Sequence, residues 1–452
     1  MKMFGTNGIR GIANDYLSCG MLVKIGMSIG KILGPGPIAI AMDTRISSDM
    51  IRSAVSAGIM SMGCDVFNLG MIPTPALQYY VKTHEKVTGG VMITASHNPP
   101  EFNGIKCISS DGTECSPDEE GAIEDAFDED LQTVSWDLIG TETRIMDAGE
   151  DYVDSIISKV DTELIRKANL TVCIDCANGA ASFTTPMLLR KLGVKVISLN
   201  ASPDGMFPGH FSEPVESNLS ELKNMVVDTN SDLGAAHDGD ADRCVFVTNK
   251  GRYLTGDVSL ALLSKYAVMN NNMKKVVTTV ATSSLISDVV REAGGTTELT
   301  AVGSPIVARH MMENDGVIGG EDNGGIIFSD HQYCRDGAMA IARMLEVIAI
   351  NGSLEAQVDE LPKYQTIKLV MPCEDELKQT MLSELKNNHK DDNINDLDGL
   401  RIDYENGWVI MRPSGTEPKF RITFESKDPD IAVNKANMFK NEFESLYKKL
   451  KQ

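Results

Sequence analysis

Three short stretches of this chain carry side chains that could do chemistry together. In the first, residues 89–107 (GGVMITASHNPPEFNGIKC), the apolar run 91–93 reads as a short buried strand. Thr94 and Ala95 are small, and Asn98-Pro99-Pro100 bars any continuation as strand or helix. Ser96 is therefore expected on a sharp turn at the carboxyl end of a strand, where open α/β sheets place their chemistry. Taken alone, the loop reads equally well as a capped turn with an exposed serine. A serine nucleophile needs an activating partner. His97 is its immediate neighbour, a poor geometry for a Ser–His pair, and no G-x-S-x-G surrounds it, so a hydrolase triad is disfavoured. Lys106 is the cation expected to fold back toward Ser96. A hydroxyl facing a lysine suits phosphoryl chemistry better than acyl transfer.

The second stretch, HDGDADR at 237–243, spaces Asp238, Asp240 and Asp242 two apart, so an extended loop would aim all three one way. Three hard oxygen ligands with room for water and phosphate suit Mg²⁺. An EF-hand calcium loop fails here, because its sixth and twelfth positions would be Arg243 and Asn249 rather than Gly and Glu. A solvated acidic turn is the other reading. The third stretch is RPSGTEPKFR, 412–421. Arg412, Ser414, the backbone amides of Gly415 and Thr416, and Arg421 could surround a dianionic phosphate.

Composition limits the partners. With 64 acidic against 42 basic side chains the net charge is −22, which argues against nucleic acid and anionic membranes. Any phosphate site must then be built locally. Nine cysteines, an odd number, point to reduced thiols and a cytoplasmic protein. Cys173 and Cys176 form a lone C-x-x-C, better read as buried structure than as zinc ligands. The N-terminal residues resemble neither a signal peptide nor a membrane span. Oligomeric state is not readable.

The elements that must position these stretches repeat. At 38–42, 170–175 and 274–281 an apolar strand leads through a turn into a helix, then glycine, then a second strand at 65–69, 194–199 and 297–302. Each copy adds one further apolar run ending in a loop: 91–93 at Ser96, 233–236 at HDGDADR, and 316–319 at GEDNGG (320–325). The irregular spacing makes these three doubly wound α/β domains rather than a solenoid. After Leu361-Pro362, strands at 366–371, 400–404, 408–411 and 420–425 with helices near 374–388 and 429–449 imply an antiparallel sheet with helices on one face. The expected domains are 1–150, 151–252, 253–364 and 365–452.

TASHNPP followed by NGIK resembles the phosphoserine loop of the α-D-phosphohexomutases, and with FGTNGIRG (4–11) before it and DGDADR, GEDNGG and RPSGTEP after it the five motifs stand in that family's order. The resemblance implies four domains around a central cleft. It also implies reversible transfer of phosphate between the 1- and 6-hydroxyls of a hexose through a 1,6-bisphosphate intermediate. Ser96 would carry the phosphate and share one Mg²⁺ with Asp238, Asp240 and Asp242. Arg10 and Lys106 would assist proton movement and charge stabilisation. Arg243, Gly303, Glu321 and Asn323 would bind substrate, and Arg412, Ser414, Gly415, Thr416 and Arg421 its spectator phosphate. The FGTNGIRG form and Asn323 lean toward glucosamine 6-phosphate, with mannose and glucose phosphates as alternatives. Gly325 stands where many relatives carry a proton-transferring histidine, leaving His97 and His331 as substitutes. Two rivals from other classes are a phosphotransferase with an aspartate nucleophile in DGDAD and a non-catalytic sugar- or metal-binding module.

Overall fold

The computed structural model describes residues 3–5, 8–414 and 418–451. Its contacts divide the chain into two units, Met1–Ser259 with Asn323–Asp359, and Leu260–Asp322 with Glu360–Gln452.

The first unit opens with a six-stranded sheet: β1 (Ile9–Ile12), β2 (Ile38–Met42), β3 (Val66–Met71), β4 (Gly89–Ile93), β5 (Phe102–Ser109) and β6 (Glu142–Arg144). The spatial order is β1-β5-β4-β2-β3-β6. Strand β4 lies at its centre with every residue buried, as an apolar run covered on both faces must be. β2 pairs in parallel with β3 and β4, whereas β5 returns antiparallel against β4. The chain between β4 and β5 holds Ser96 at one end of the sheet. A second sheet follows the same plan, with β7 (Thr171–Asp175), β8 (Lys195–Leu199), β9 (Leu233–His237), β10 (Cys244–Thr248) and β11 (Tyr253–Leu254) in the order β11-β10-β9-β7-β8. Here β9 and β10 are antiparallel, and the turn between them is the acidic loop.

Strands β12 (Lys275–Thr279), β13 (Thr296–Thr300) and β14 (Gly316–Gly320) belong to the second unit, where β12 pairs in parallel with both others. The antiparallel pair β15 (Ile326–Phe328) and β16 (Gln332–Arg335) belongs to the first. The expected α/β repeats are thus present, and the first two sheets each carry an antiparallel return that the doubly wound pattern alone does not specify.

The fourth sheet is wholly antiparallel, in the order β17-β21-β20-β19-β18: β17 (Gln365–Pro372), β18 (Ile394–Asn395), β19 (Leu400–Tyr404), β20 (Gly407–Pro413) and β21 (Lys419–Ser426). Phe420, Ile422 and Phe424 alternate inward and join one core with Phe439 and Phe443 of the helix Pro429–Leu450. The same alternation turns Arg421 to the other face. No helix among the described residues is long and apolar enough to cross a membrane.

Candidate active site

Strand β4 delivers Ser96 to a fully buried position with a left-handed backbone, φ +52°. Its Oγ donates to Asp238 Oδ2 at 2.8 Å, and its N–H donates to Thr94 Oγ1 at 2.8 Å. His97 Nδ1 lies 3.3 Å from the same Oγ. Burial, with the nearby Arg243 and Arg10 guanidinium groups, pushes the His97 imidazole down to about 3, so the ring is neutral in ordinary buffers. Arg10 donates from Nη1 to Asn98 Oδ1 at 2.8 Å.

Lys106 sits elsewhere than expected. The β4–β5 register sets it opposite Met92, below the serine turn. Its Nζ reaches Asp240 Oδ2 at 2.7 Å and Asp242 Oδ2 at 3.0 Å rather than Ser96. Burial opposes its charge, yet the two carboxylates raise its ammonium above the usual lysine range.

The three aspartates converge through a turn and not through an extended loop. Ala241 takes φ +59°, and a side chain at Gly239 would put its Cβ 2.5 Å from the Ser96 carbonyl oxygen. Only glycine lets the two loops approach so closely. One oxygen from each of Asp238, Asp240 and Asp242 lies within 4.8 Å of the others, and all three residues are buried. Burial and the two neighbouring carboxylates push Asp238 up to about 7. Asp242 is held well below the usual carboxylate range: burial works against this, but Arg335, Lys106 and Arg243 outweigh it. Arg243 Nε stands 3.8 Å from both Asp238 Oδ2 and Asp242 Oδ1.

The site fits a divalent cation. Asp240 Oδ1 and Asp242 Oδ1 are buried with no hydrogen-bond partner, an arrangement costly for charged groups unless something else satisfies them. Hard carboxylate oxygens favour Mg²⁺ or Ca²⁺ over softer metals.

Three participants escaped sequence reasoning. Thr74 donates from Oγ1 to Asp240 Oδ2 at 2.6 Å, and its N–H donates to the Asp240 carbonyl at 3.0 Å. Arg335 is buried and donates from Nη2 to Asp242 Oδ2 at 2.5 Å. Glu114, whose carboxyl is pushed up by burial, lies 3.9 Å from Arg335. A Thr-Pro helix start at 74–75 is the one local signal among them. Arg335 also explains Gly325: a Cβ there would lie 2.2 Å from Arg335 Cδ, so the glycine leaves the space the arginine fills. His331 does not replace the absent histidine. It is committed to Ser155 Oγ at 2.9 Å and Asp336 Oδ2 at 3.1 Å, and stacks on Tyr79. Asn323 caps its own turn, its Oδ1 accepting from the Gly325 N–H at 3.0 Å.

In the second unit Gly303, at φ +140°, donates its N–H to Glu321 Oε1 at 3.0 Å. Arg412 and Arg421 are direct cross-strand partners on β20 and β21. Like charges placed opposite each other on a sheet are unfavourable unless an anion lies between or beside them. Arg412 reaches Asp398 Oδ2 at 2.7 Å, and the Ser414 carbonyl accepts from Lys378 Nζ at 2.6 Å. Gly415 and Thr416 lie outside the described residues. Arg412→Ala is expected to lower kcat/KM by roughly ten- to a hundredfold, about 1.5–3 kcal/mol for a lost charge-assisted contact, with kcat falling and KM rising. Steady-state kinetics beside a thermal melt check this; unaltered kinetics would reduce the loop to a solvated turn.

Comparison with known proteins matches all four segments in order. Residues 1–133, 150–251 and 255–364 match phosphoglucomutase/phosphomannomutase alpha/beta/alpha domains I, II and III, and residues 358–441 match the C-terminal domain of the same family. The chain is 42% identical over 442 residues to a phosphoglucomutase/phosphomannomutase of Thermococcus kodakarensis, covering 95% of this chain and 96% of the relative. It is 39% identical over 448 residues to a phosphoglucosamine/phosphogalactosamine mutase of Sulfurisphaera tokodaii, covering 97% and 98%. A crystal structure of a phosphoglucomutase/phosphomannomutase family protein from Burkholderia thailandensis superposes with a TM-score of 0.88 at 25% identity, covering 97% of each chain.

Proposed function

Because this chain belongs to the phosphoglucomutase/phosphomannomutase family and is a phosphohexomutase, an isomerase-class enzyme, we propose that Ser96 carries the phosphate in transit and that glucosamine 6-phosphate is the preferred substrate. The observation that carries the first part is the Ser96 Oγ bonded to Asp238 within a buried carboxylate triad that keeps two orphaned oxygens. Phosphorylated Ser96 donates its phosphoryl group to the free hydroxyl of the hexose phosphate: the P–Oγ bond breaks, a bond to the sugar oxygen forms, and the hydroxyl's proton ends on Ser96 Oγ, from which it returns to the sugar oxygen when the second transfer reverses the step. The resulting 1,6-bisphosphate presents its other phosphate, and Ser96 takes that group back.

Asp238, Asp240 and Asp242 would hold one Mg²⁺, which would supply charge neutralisation on the phosphoryl group. Lys106, its ammonium stabilised by Asp240 and Asp242, acts as a fixed cation rather than a proton acceptor. Arg335 and Arg243 hold the acidic loop in place, while Arg10 steadies the Ser96 turn through Asn98. Glu321 and Gly303 are assigned to the sugar, as is Asn323. Arg412, Ser414, Gly415, Thr416 and Arg421 are assigned to the phosphate that is not being transferred. All nine cysteines are free and eight are buried, consistent with a reducing cytoplasm.

The glucosamine reading is supported by the FGTNGIRG form, by Asn323 with Gly325, and by the name of the Sulfurisphaera relative. The Thermococcus relative, at higher identity, carries the other name. Glucosamine 6-phosphate is therefore expected to give the highest kcat/KM in a side-by-side comparison with mannose 1-phosphate and glucose 1-phosphate. A higher value for either of the others would move the enzyme to the other branch and leave the mutase chemistry intact.

A further inference from the structure

Residues 43–45 did not figure in the chemistry read from the sequence, yet both peptide groups of Ser96 are tied to them. Arg45 is 2% exposed and uses all five of its N–H donors. Nη2 donates to the carbonyls of Ser96 at 3.0 Å and Asn98 at 2.6 Å. Nη1 donates to those of Pro99 at 2.5 Å and Phe102 at 2.9 Å. Nε donates to Asp43 Oδ2 at 3.0 Å. The turn that carries Ser96 is thus wrapped around one guanidinium, with four carbonyls aimed inward.

The other side of Ser96 is held by the partner of that guanidinium. Asp43 Oδ2 accepts from Thr94 Oγ1 at 2.7 Å, and Thr94 Oγ1 in turn accepts the Ser96 N–H. The remaining Asp43 oxygen accepts from the Arg45 N–H and from Ser48 Oγ, each at 3.0 Å, which fixes the carboxylate. A loop following β8 closes over the clamp: the Phe207 ring centre is 5.0 Å from the Arg45 guanidinium carbon, and a Cβ on Gly205 would lie 2.4 Å from the Thr44 carbonyl oxygen. Ser96 meanwhile sits at φ +52°, a left-handed conformation that non-glycine residues keep only when their surroundings impose it.

We infer that Arg45 is a positioning residue for phosphoryl transfer: with Asp43 and Thr94 it holds the N–H and the carbonyl of Ser96 so that Oγ meets the acidic loop. This rests on Ser96 being the phosphate carrier. The carrier must be placed accurately in two successive transfers, once as donor and once as acceptor. A lysine cannot replace the clamp, since an ammonium has three donors and no planar fork to meet four carbonyls.

The test uses the full-length enzyme with Mg²⁺ and compares Arg45→Lys, Arg45→Ala and Thr94→Val with wild type and Ser96→Ala. Each is read by kcat and KM, by a thermal melt, and by the rate at which Ser96 gains phosphate from glucose 1,6-bisphosphate. Arg45→Lys is expected to lower kcat about a hundredfold while KM moves less than about threefold, as for a reacting group displaced by about 1 Å. Phosphate loading of Ser96 should slow in proportion. Millimolar guanidinium should restore a measurable part of kcat to Arg45→Ala and not to wild type, and ammonium should restore none. Wild-type kcat in Arg45→Lys would overturn the inference, as would a loss that tracks the unfolded fraction and resists guanidinium. If the arginine variants do not fold, Thr94→Val decides: a folded variant with unchanged kcat and loading rate overturns the clamp, and a fall in both supports it. If Ser96→Ala alone keeps full activity, the carrier assignment fails, which is distinct from failure of the clamp.

Discussion

Ser96→Ala is expected to lose at least about three orders of magnitude in mutase turnover, because it removes the atom to which the phosphate bonds and not merely a contact. The protein should nevertheless fold. The lost hydroxyl bonds Asp238, a contact to a charged group that contributes about 1.5–3 kcal/mol, and makes a longer contact with His97 Nδ1 at 3.3 Å. Both backbone groups of the residue keep their partners at Thr94 and Arg45. The variant should therefore melt as a folded protein, and full activity in it would remove Ser96 from the reaction.

Chelation should stop catalysis, Mg²⁺ should restore it, and Asp238→Asn, Asp240→Asn and Asp242→Asn should each lose at least about a hundredfold in kcat, since an amide cannot replace an anionic ligand. Their stabilities should separate. Asp242 is where Arg335 and Lys106 meet, so Asp242→Asn takes one buried anionic partner from both cations, and breaking such pairs from one side costs about 3–5 kcal/mol. Asp238 is pushed up to about 7 by burial and its carboxylate neighbours. A carboxyl that keeps its proton to higher pH in the fold than in the unfolded chain favours the fold as pH falls through that interval. Metal-free wild type should gain stability as pH drops below about 7 toward the unfolded carboxyl value near 4. Asp238→Asn should lack that gain and should melt no lower than wild type in chelator at neutral pH. Thermal melts in chelator across pH read the difference, and activity of wild type in excess chelator would separate the metal from the mechanism.

What the sequence disclosed and what it withheld follow from how each feature is encoded. Strand β4, the proline stop after Ser96 and the two-residue spacing of the aspartates are local, and each is readable. The convergence of the aspartates was legible but its geometry was not, because the turn depends on Gly239 lying against the Ser96 carbonyl, a contact made 143 residues away in the chain. Lys106 meets the acidic loop rather than Ser96 because the β4–β5 register decides where it points. Arg335 reaches Asp242 across 93 residues from a short hairpin strand without a motif, and only the missing Cβ at Gly325 marks its place. Arg45 follows strand β2 with no motif that marks a role. Four of its five donors are satisfied by carbonyls some fifty residues on, which no spacing rule anticipates.

The residue that receives the phosphate decides the chemistry most directly. Incubating the Mg²⁺-loaded enzyme with isotopically labelled glucose 1,6-bisphosphate, quenching in acid and mapping peptides by mass spectrometry would locate it. The expected result is label on the peptide containing Ser96, stable to acid and to hydroxylamine, and absent from Ser96→Ala. Label on the peptide containing Asp238 and Asp240 that hydroxylamine releases, or turnover without any labelled serine, would contradict the account.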